Sequence, residues 1–300
     1  MKKKTYLFTL MAMALTLGSC SDNENGIGGE TSKYITVSTS IGNMTRVATD
    51  EKGGQTFEEG DEISVYAWTG DATVAPETSE RVVNNAINKL TNGSWVSTPQ
   101  MLWKNNRDKH YFIGIYPISA ISDLSAGEYT FDETKQVESD LLVAVNKDGL
   151  SYNVDEQQPV PLTFTHVMAK LVVNLTYKNQ WGGIPTVEKV VVGNAAKEAT
   201  INYLTKVVTP STTAKEDFSL PEITENTKYV SVIIPQEEVT QLTIVIGGKN
   251  FVYDNGTPFK LESGKITTVN LEVGRDEIKL GDVKITNWED GSTFSGEALN

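Results

Sequence analysis

Apolar and polar residues alternate with a period of two along most of this chain. In DEISVYAW (61–68), Ile63, Val65 and Ala67 fall on one face and Ser64, Tyr66 and Trp68 on the other, the signature of a half-buried strand. HYFIGIYP repeats the pattern, with Tyr111, Ile113 and Ile115 opposite Phe112 and Tyr116, until Pro117 ends it. ITVSTSI does so more weakly: Ile35, Val37, Thr39 and Ile41 alternate with the small hydroxyl residues Thr36, Ser38 and Ser40. Two dipeptides that favour left-handed backbone, Asn92-Gly93 and Gly247-Gly248, predict hairpins.

The alternation changes phase inside VPLTFTHVMAKLVVNLTY (160–177). Leu162 and Phe164 share one parity, whereas Leu171, Val173 and Leu175 share the other. One strand holds both sets inside only with a bulge or with burial on two sides. This segment is read as the opening of a second domain, which divides the chain into 34–157 and 158–300. Further strands are expected in ESDLLVAV, VEKVVVGN, ATINYL, KYVSVIIPQ, QLTIVIGGKNFVYDN, KITTVNLEV and DVKITNW. Short strands broken by Gly, Pro and Asn predict an all-β chain of two β-sandwiches. Helices are minor, with one short helix expected between Ser79 and Leu90.

The first 33 residues do not share this pattern. Lys2, Lys3 and Lys4 precede the apolar run YLFTLMAMALTL, too short for a membrane span, and residues 1–19 read as an export signal. It ends at LGSC, whose Cys20 is the chain's one cysteine. LGSC resembles the lipobox of bacterial lipoproteins, which implies acylation of Cys20 and a membrane anchor of several acyl chains. The acidic SDNEN after it resembles a signal for transfer to the outer face of the outer membrane. Residues 20–33, rich in Gly, Ser, Asn and acids, suit a flexible tether. No intrachain disulfide can form, so packing must supply stability. Loss of the signal takes three lysines and no acid from a chain of net charge −13, leaving −16. Such a surface repels phosphate backbones and makes nucleic acid a poor partner.

Chemistry is sparse. His110 and His166 lie in strand patterns, where a packed, hydrogen-bonded role is expected, and neither is spaced for a nucleophile–base–acid set. Two distant histidines and one cysteine do not compose a zinc set, and neither DNENG nor WEDGS has the ligand spacing of a calcium loop. No cofactor is expected. The acids of Glu58-Glu59 and Asp61-Glu62 around Gly60 read as a solvated turn rather than a catalytic pair. Five tryptophans, Trp68, Trp95, Trp103, Trp181 and Trp288, are expected in cores or over edges. An exposed subset would instead suit a glycan-binding surface lipoprotein that never polymerises.

The order of these pieces carries more information than any one of them. A lipobox, a first strand ending in TR, FEEGDEISVYAW, an NGSW hairpin, HYFIGIYP, DLLVAV, VPLTFTHVMAKLVVNL, VIIPQ with LTIVIGGKNFVYD, LESGKITTVNLEV and VKITNWEDG follow one another. Nearly the whole mature chain resembles the fimbrillin family, lipoprotein precursors of fimbrial subunits on Gram-negative anaerobes. The resemblance implies two transthyretin-like sandwiches in tandem and no enzymatic activity. It implies a surface lipoprotein cut by an arginine-specific protease behind its first strand, here between Arg46 and Val47. Loss of the strand carrying Ile35, Val37 and Ile41 would open a groove for the C-terminal strand of another subunit. By position that donor is Asp282 to Trp288, with Val283 and Ile285 on one face and Trp288 on the other. Other fimbrial subunits are then the expected partners, together with the membrane through Cys20 before processing and a host or bacterial surface ligand.

Overall fold

The computed structural model describes residues 33–42, 56–153, 158–239, 241–253 and 258–288. Cys20, Arg46 and Val47 lie outside them. The described chain is almost entirely β. Seven strands form the first sheet, in the order β1 (Val37–Ile41), β8 (Val160–His166), β7 (Leu142–Leu150), β5 (His110–Tyr116), β2 (Glu62–Thr69), β3 (Val83–Thr91) and β4 (Ser94–Thr98). All neighbours are antiparallel except β1, which runs parallel to β8. Five strands form the second, in the order β14 (Glu222–Thr224), β15 (Lys228–Ile233), β9 (Ala169–Tyr177), β20 (Lys265–Val273) and β21 (Ile278–Asn287). A four-stranded sheet runs β13 (Lys215–Ser219), β10 (Lys189–Ala196), β17 (Leu242–Ile246), β18 (Lys249–Tyr253). Two small sheets complete the set, β12 (Val207–Pro210), β11 (Glu198–Asn202), β6 (Gly127–Thr130) and β16 (Gln236–Val239), β19 (Phe259–Leu261).

Two cores result. One lies inside the curve of the first sheet and holds Ile35, Val37, Ile63, Val65, Ala67, Phe112, Leu162 and Phe164. The other takes Tyr66, Trp68, Ile113 and Ile115 from the opposite face of that sheet and continues through the strands that follow β8. Strand β2 is therefore buried on both faces, not on one as its alternation predicted: Ser64, Tyr66 and Trp68 are as inaccessible as Ile63 and Val65. The large amphipathic Tyr66 makes this possible, because its hydroxyl donates to Ser119 O at 2.6 Å and accepts from Ile121 N–H at 2.7 Å.

The phase change in 160–177 has a simple origin: it is two strands in two sheets. Strand β8 faces Val160, Leu162 and Phe164 into the first core, and the chain crosses at Val167–Met168 to β9, which faces Leu171, Val173 and Leu175 into the second. The first sheet thus takes its last strand from beyond residue 158.

The helix expected between Ser79 and Leu90 is absent. One 3-10 turn covers Thr78–Glu80, and β3 follows. A bulge explains the helix-like spacing: Val65 pairs with Ala86 and Ala67 with Val83, so three residues of β3 span two of β2. Val83 and Ala86, three positions apart, both face the core, and Asn85 between them adopts a left-handed φ of 55°. The Asn92-Gly93 and Gly247-Gly248 hairpins form as predicted, with positive φ at all four residues.

Candidate functional site

The first strand occupies a sheet edge. It contacts β8 alone along one side, in the register Val37 with Val160 through Ile41 with Phe164. Ile35 and Val37 are 1% and 6% exposed and close one end of the first core, while Ile41 is half-buried and Ser38 and Ser40 face solvent. The modest alternation in the sequence is the alternation of the strand. Burial of two such apolar side chains contributes about 1.5–3 kcal/mol each.

The opposite edge of β1 is split. At its N-terminal end, Ile35 N–H donates to Met101 O at 2.9 Å and Trp103 N–H donates to Lys33 O at 3.1 Å, so the sheet nearly closes on itself. From Val37 onward β1 and β4 diverge around a cavity of about 700 Å³, lined by residues 36–41, Thr56, Phe57, Leu90, Gly93, Ser94, Trp95 and Pro159. Trp95 Nε1–H donates across this cleft to Thr39 Oγ1 at 3.0 Å. Phe57 closes its floor, with its ring edge-on to Trp95, Tyr116 and Phe164 at 5.1–5.3 Å between centroids. Neither Phe57 nor Trp95 was picked out for this place by the sequence. Phe57 is an isolated apolar residue ahead of an acidic turn, a pattern that gives no periodicity to read.

At that turn Glu58 N–H donates to Asp61 Oδ2 at 2.7 Å and Gly60 takes a φ of 98°. The acids are surface groups of a tight turn, as expected. Tyr116, beneath it, donates to Asp61 Oδ1 at 3.3 Å; burial and then the Asp61 charge push its phenol up to about 12.

The C-terminal strand β21 is also an edge, and most of it is exposed. Val283 lies opposite Val269 and Ile285 opposite Thr267 on β20. Opposed residues share a sheet face, and Val269 and Thr267 are fully buried. Val283 and Ile285 therefore sit on the inner face yet remain 36% and 40% exposed at its rim. Trp288, one residue past β21, is buried instead. Its ring stacks on His166, which donates from Nδ1 to Asp140 Oδ1 at 2.8 Å. Lys170 Nζ lies 5.4 Å from the indole centroid.

His110 is buried, accepts from Lys104 N–H through Nε2 at 3.1 Å, and is held below the usual imidazole range by burial. Both histidines are packed and hydrogen-bonded. None of the five tryptophans is exposed: Trp68 and Trp288 are buried, and Trp95, Trp103 and Trp181 are half-buried against neighbouring rings. Among the described residues no three His, Cys, Asp or Glu side chains are grouped to hold a metal.

Known structures share this fold. A putative cell adhesion protein from Bacteroides ovatus superimposes with a TM-score of 0.65 at 18% identity, covering 85% of this chain and 98% of its own. One from Bacteroides uniformis gives 0.64 at 18% identity, over 86% and 100%. A fimbrial protein from Bacteroides vulgatus gives 0.52 at 13% identity, over 84% and 99%. No curated protein matches the chain. Residues 45–288, most of its length, match the family described as fimbrillin-like. That match takes in every strand from β2 to β21, and the chain belongs to the fimbrillin-like family.

Proposed function

We propose that the protein is a structural subunit or an accessory or tip adhesin of a cell-surface fimbrium, with no catalytic role. It is exported as an outer-membrane lipoprotein through Cys20 and assembles by strand exchange. A cut between Arg46 and Val47 removes β1, and the C-terminal strand of another subunit takes its place. Arg46 stands five residues past Ile41, close behind the strand.

The observation that carries this reading is the position of β1. It is an edge strand with one full neighbour, in parallel pairing that is slightly weaker per residue than antiparallel, and it nevertheless covers a core with Ile35 and Val37. Its removal would expose the β8 edge together with Val160, Leu162 and Phe164. Such an opening accepts an extended segment by β-augmentation and would otherwise be an aggregation hazard. Strand β21 suits the donor role, being an exposed edge with Val283 and Ile285 in alternation. Other fimbrial subunits are then the partners, with the membrane reached through Cys20 before processing and a surface ligand engaged by the finished fibre.

The test is the N-terminal sequence and lipid state of protein sheared from the native cell surface. A start at Val47 without lipid is expected. Acylated Cys20 as the start of all material would overturn removal of β1.

A further inference from the structure

We infer that the cleft between β1 and β4 is a docking site for an extended strand that is filled before β1 leaves, and that its occupant is β21 of a second copy. The inference rests on the exchange reading above and adds the place where the incoming strand first binds.

Both walls of the cleft are strand edges whose backbone groups face it. In a parallel ladder alternate residues bond to a given neighbour. Thr36 O accepts from Val160 N–H and Gly42 N–H donates to Phe164 O, so the groups of Val37, Thr39 and Ile41 point away from β8 and into the cleft. On the other wall, Leu90 bonds through both N–H and C=O to the 60–61 turn, not to β4. Its cross-strand partner Trp95, and Ser97 two residues on, therefore direct their own backbone groups away from β3. The same alternation is already satisfied at the closed end, where Ile35 pairs with Met101. An extended segment laid between Val37–Ile41 and Trp95–Ser97 would continue that pairing and complete a closed barrel.

Chemistry selects β21 as the occupant. Among the described residues the lining carries no charged side chain, and its floor is Phe57 with the indole of Trp95. This suits the alternating Val283 and Ile285, which lie exposed on their own sheet. The rim is acidic: Glu58 and Glu59 are exposed beside Phe57, and Glu59 Oε1 accepts from Asn92 N–H next to Gly93. Strand β21 carries Lys279 and Lys284, both exposed. Lys284 has the opposite parity to Val283 and Ile285 and would project outward over that rim together with Asp282, so that the strand, with two lysines and one aspartate over 278–287, brings a net positive charge to it. The cleft would then serve as a landing place from which an arriving strand competes with β1 for β8.

The test uses the full uncut chain, with Cys20→Ser to keep it free of lipid, and a labelled peptide of residues 277–288. Expected are saturable binding with β1 still present by intact mass, and slowed hydrogen exchange at the amides of Val37, Thr39, Trp95 and Ser97. A peptide N-methylated at alternate residues, or one carrying Val283→Asp and Ile285→Asp, is expected to bind at least tenfold more weakly. Binding only after cleavage behind Arg46 would overturn the docking site and leave strand exchange standing. No binding before or after cleavage would overturn the docking site and also remove β21 as the donor. Binding without protection at these amides, or with equal affinity for the Asp-substituted peptide, would overturn it too.

Discussion

The imidazole of His166 lies flat on the indole of Trp288, with 4.1 Å between centroids and 7° between planes. One residue ends β8 in the first sheet and the other follows β21 in the second. The stack is fixed from both sides, by the His166 hydrogen bond to Asp140 and by Trp288 N–H donating to Gly264 O at 3.2 Å. Ile278 and Leu280 at the start of β21 pack against the second core, and the rest of the strand is largely exposed, so this contact is the side-chain anchor of its C-terminal half.

Trp288→Ala should therefore loosen β21 selectively. Loss of a buried aromatic side chain typically costs about 3–5 kcal/mol, and the lower end applies at a strand terminus with room to relax. The measurement is hydrogen exchange. Amides of Val283–Asn287 should lose protection while those of β2 and β5, buried on both sides, keep theirs. Equal loss everywhere would show that Trp288 supports the whole fold and is no local anchor.

Lys170 adds a pH dependence to the same corner. Burial, opposed by Asp140 and aided by Lys228, holds its ammonium down to about 8. The unfolded chain keeps the ordinary lysine value of about 10.4, so between these values it binds more protons than the fold, and stability rises with pH there. Below about 8 both states are protonated and the burial penalty is fully present. Lys170→Met should raise the melting temperature at pH 7 and flatten its increase between pH 8 and 9.5. A slope unchanged by the substitution would assign the pH dependence to other groups.

Much of the architecture was legible because long strands of alternating Val, Ile and aromatic residues announce themselves. What the sequence hid were short polar strands and the consequences of bulges. Lys215–Ser219 buries only Phe218, and Glu222–Thr224 buries nothing, so neither leaves a periodic trace. The bulge in β3 made strand spacing look helical. For the site, β1 and β21 could be found by alternation and order. The cleft could not, because it is made by two edges failing to meet, a property of sheet curvature and not of either strand. The neighbours of Trp288 were equally out of reach, since His166 and Lys170 lie more than a hundred residues away in sequence.

Gly114 marks where β5 must stay thin. A Cβ built there would stand 2.6 Å from Phe164 Cζ and 3.2 Å from Leu162 Cδ1. Gly114→Ala should push the Phe164 ring toward Phe57 and cost about 1–3 kcal/mol through overpacking. Thermal denaturation should register this as a clear fall in melting temperature. An unchanged value would mean that the cleft absorbs the ring without strain.

Among the described residues, the bond from Trp95 to Thr39 is the one side-chain hydrogen bond across the cleft that is independent of β8. A neutral hydrogen bond contributes about 1 kcal/mol net, and less where the released donor can reach water, as the half-buried Trp95 can. Thr39→Val keeps the shape and removes only the acceptor. The whole-protein melting temperature should hardly move, because β2, β5 and β7 carry the cooperative core. Opening of β1 alone should respond, and about 1 kcal/mol is a factor of roughly five in its population. Hydrogen exchange at the β1 amides that bond to β8, Gly42 among them, follows the open population and should accelerate by up to that factor in Thr39→Val. The same acceleration should appear in Trp95→Phe, and no further gain in the double variant, because both changes remove one bond. Additive acceleration would mean that each residue restrains β1 through separate contacts and that the bond is incidental.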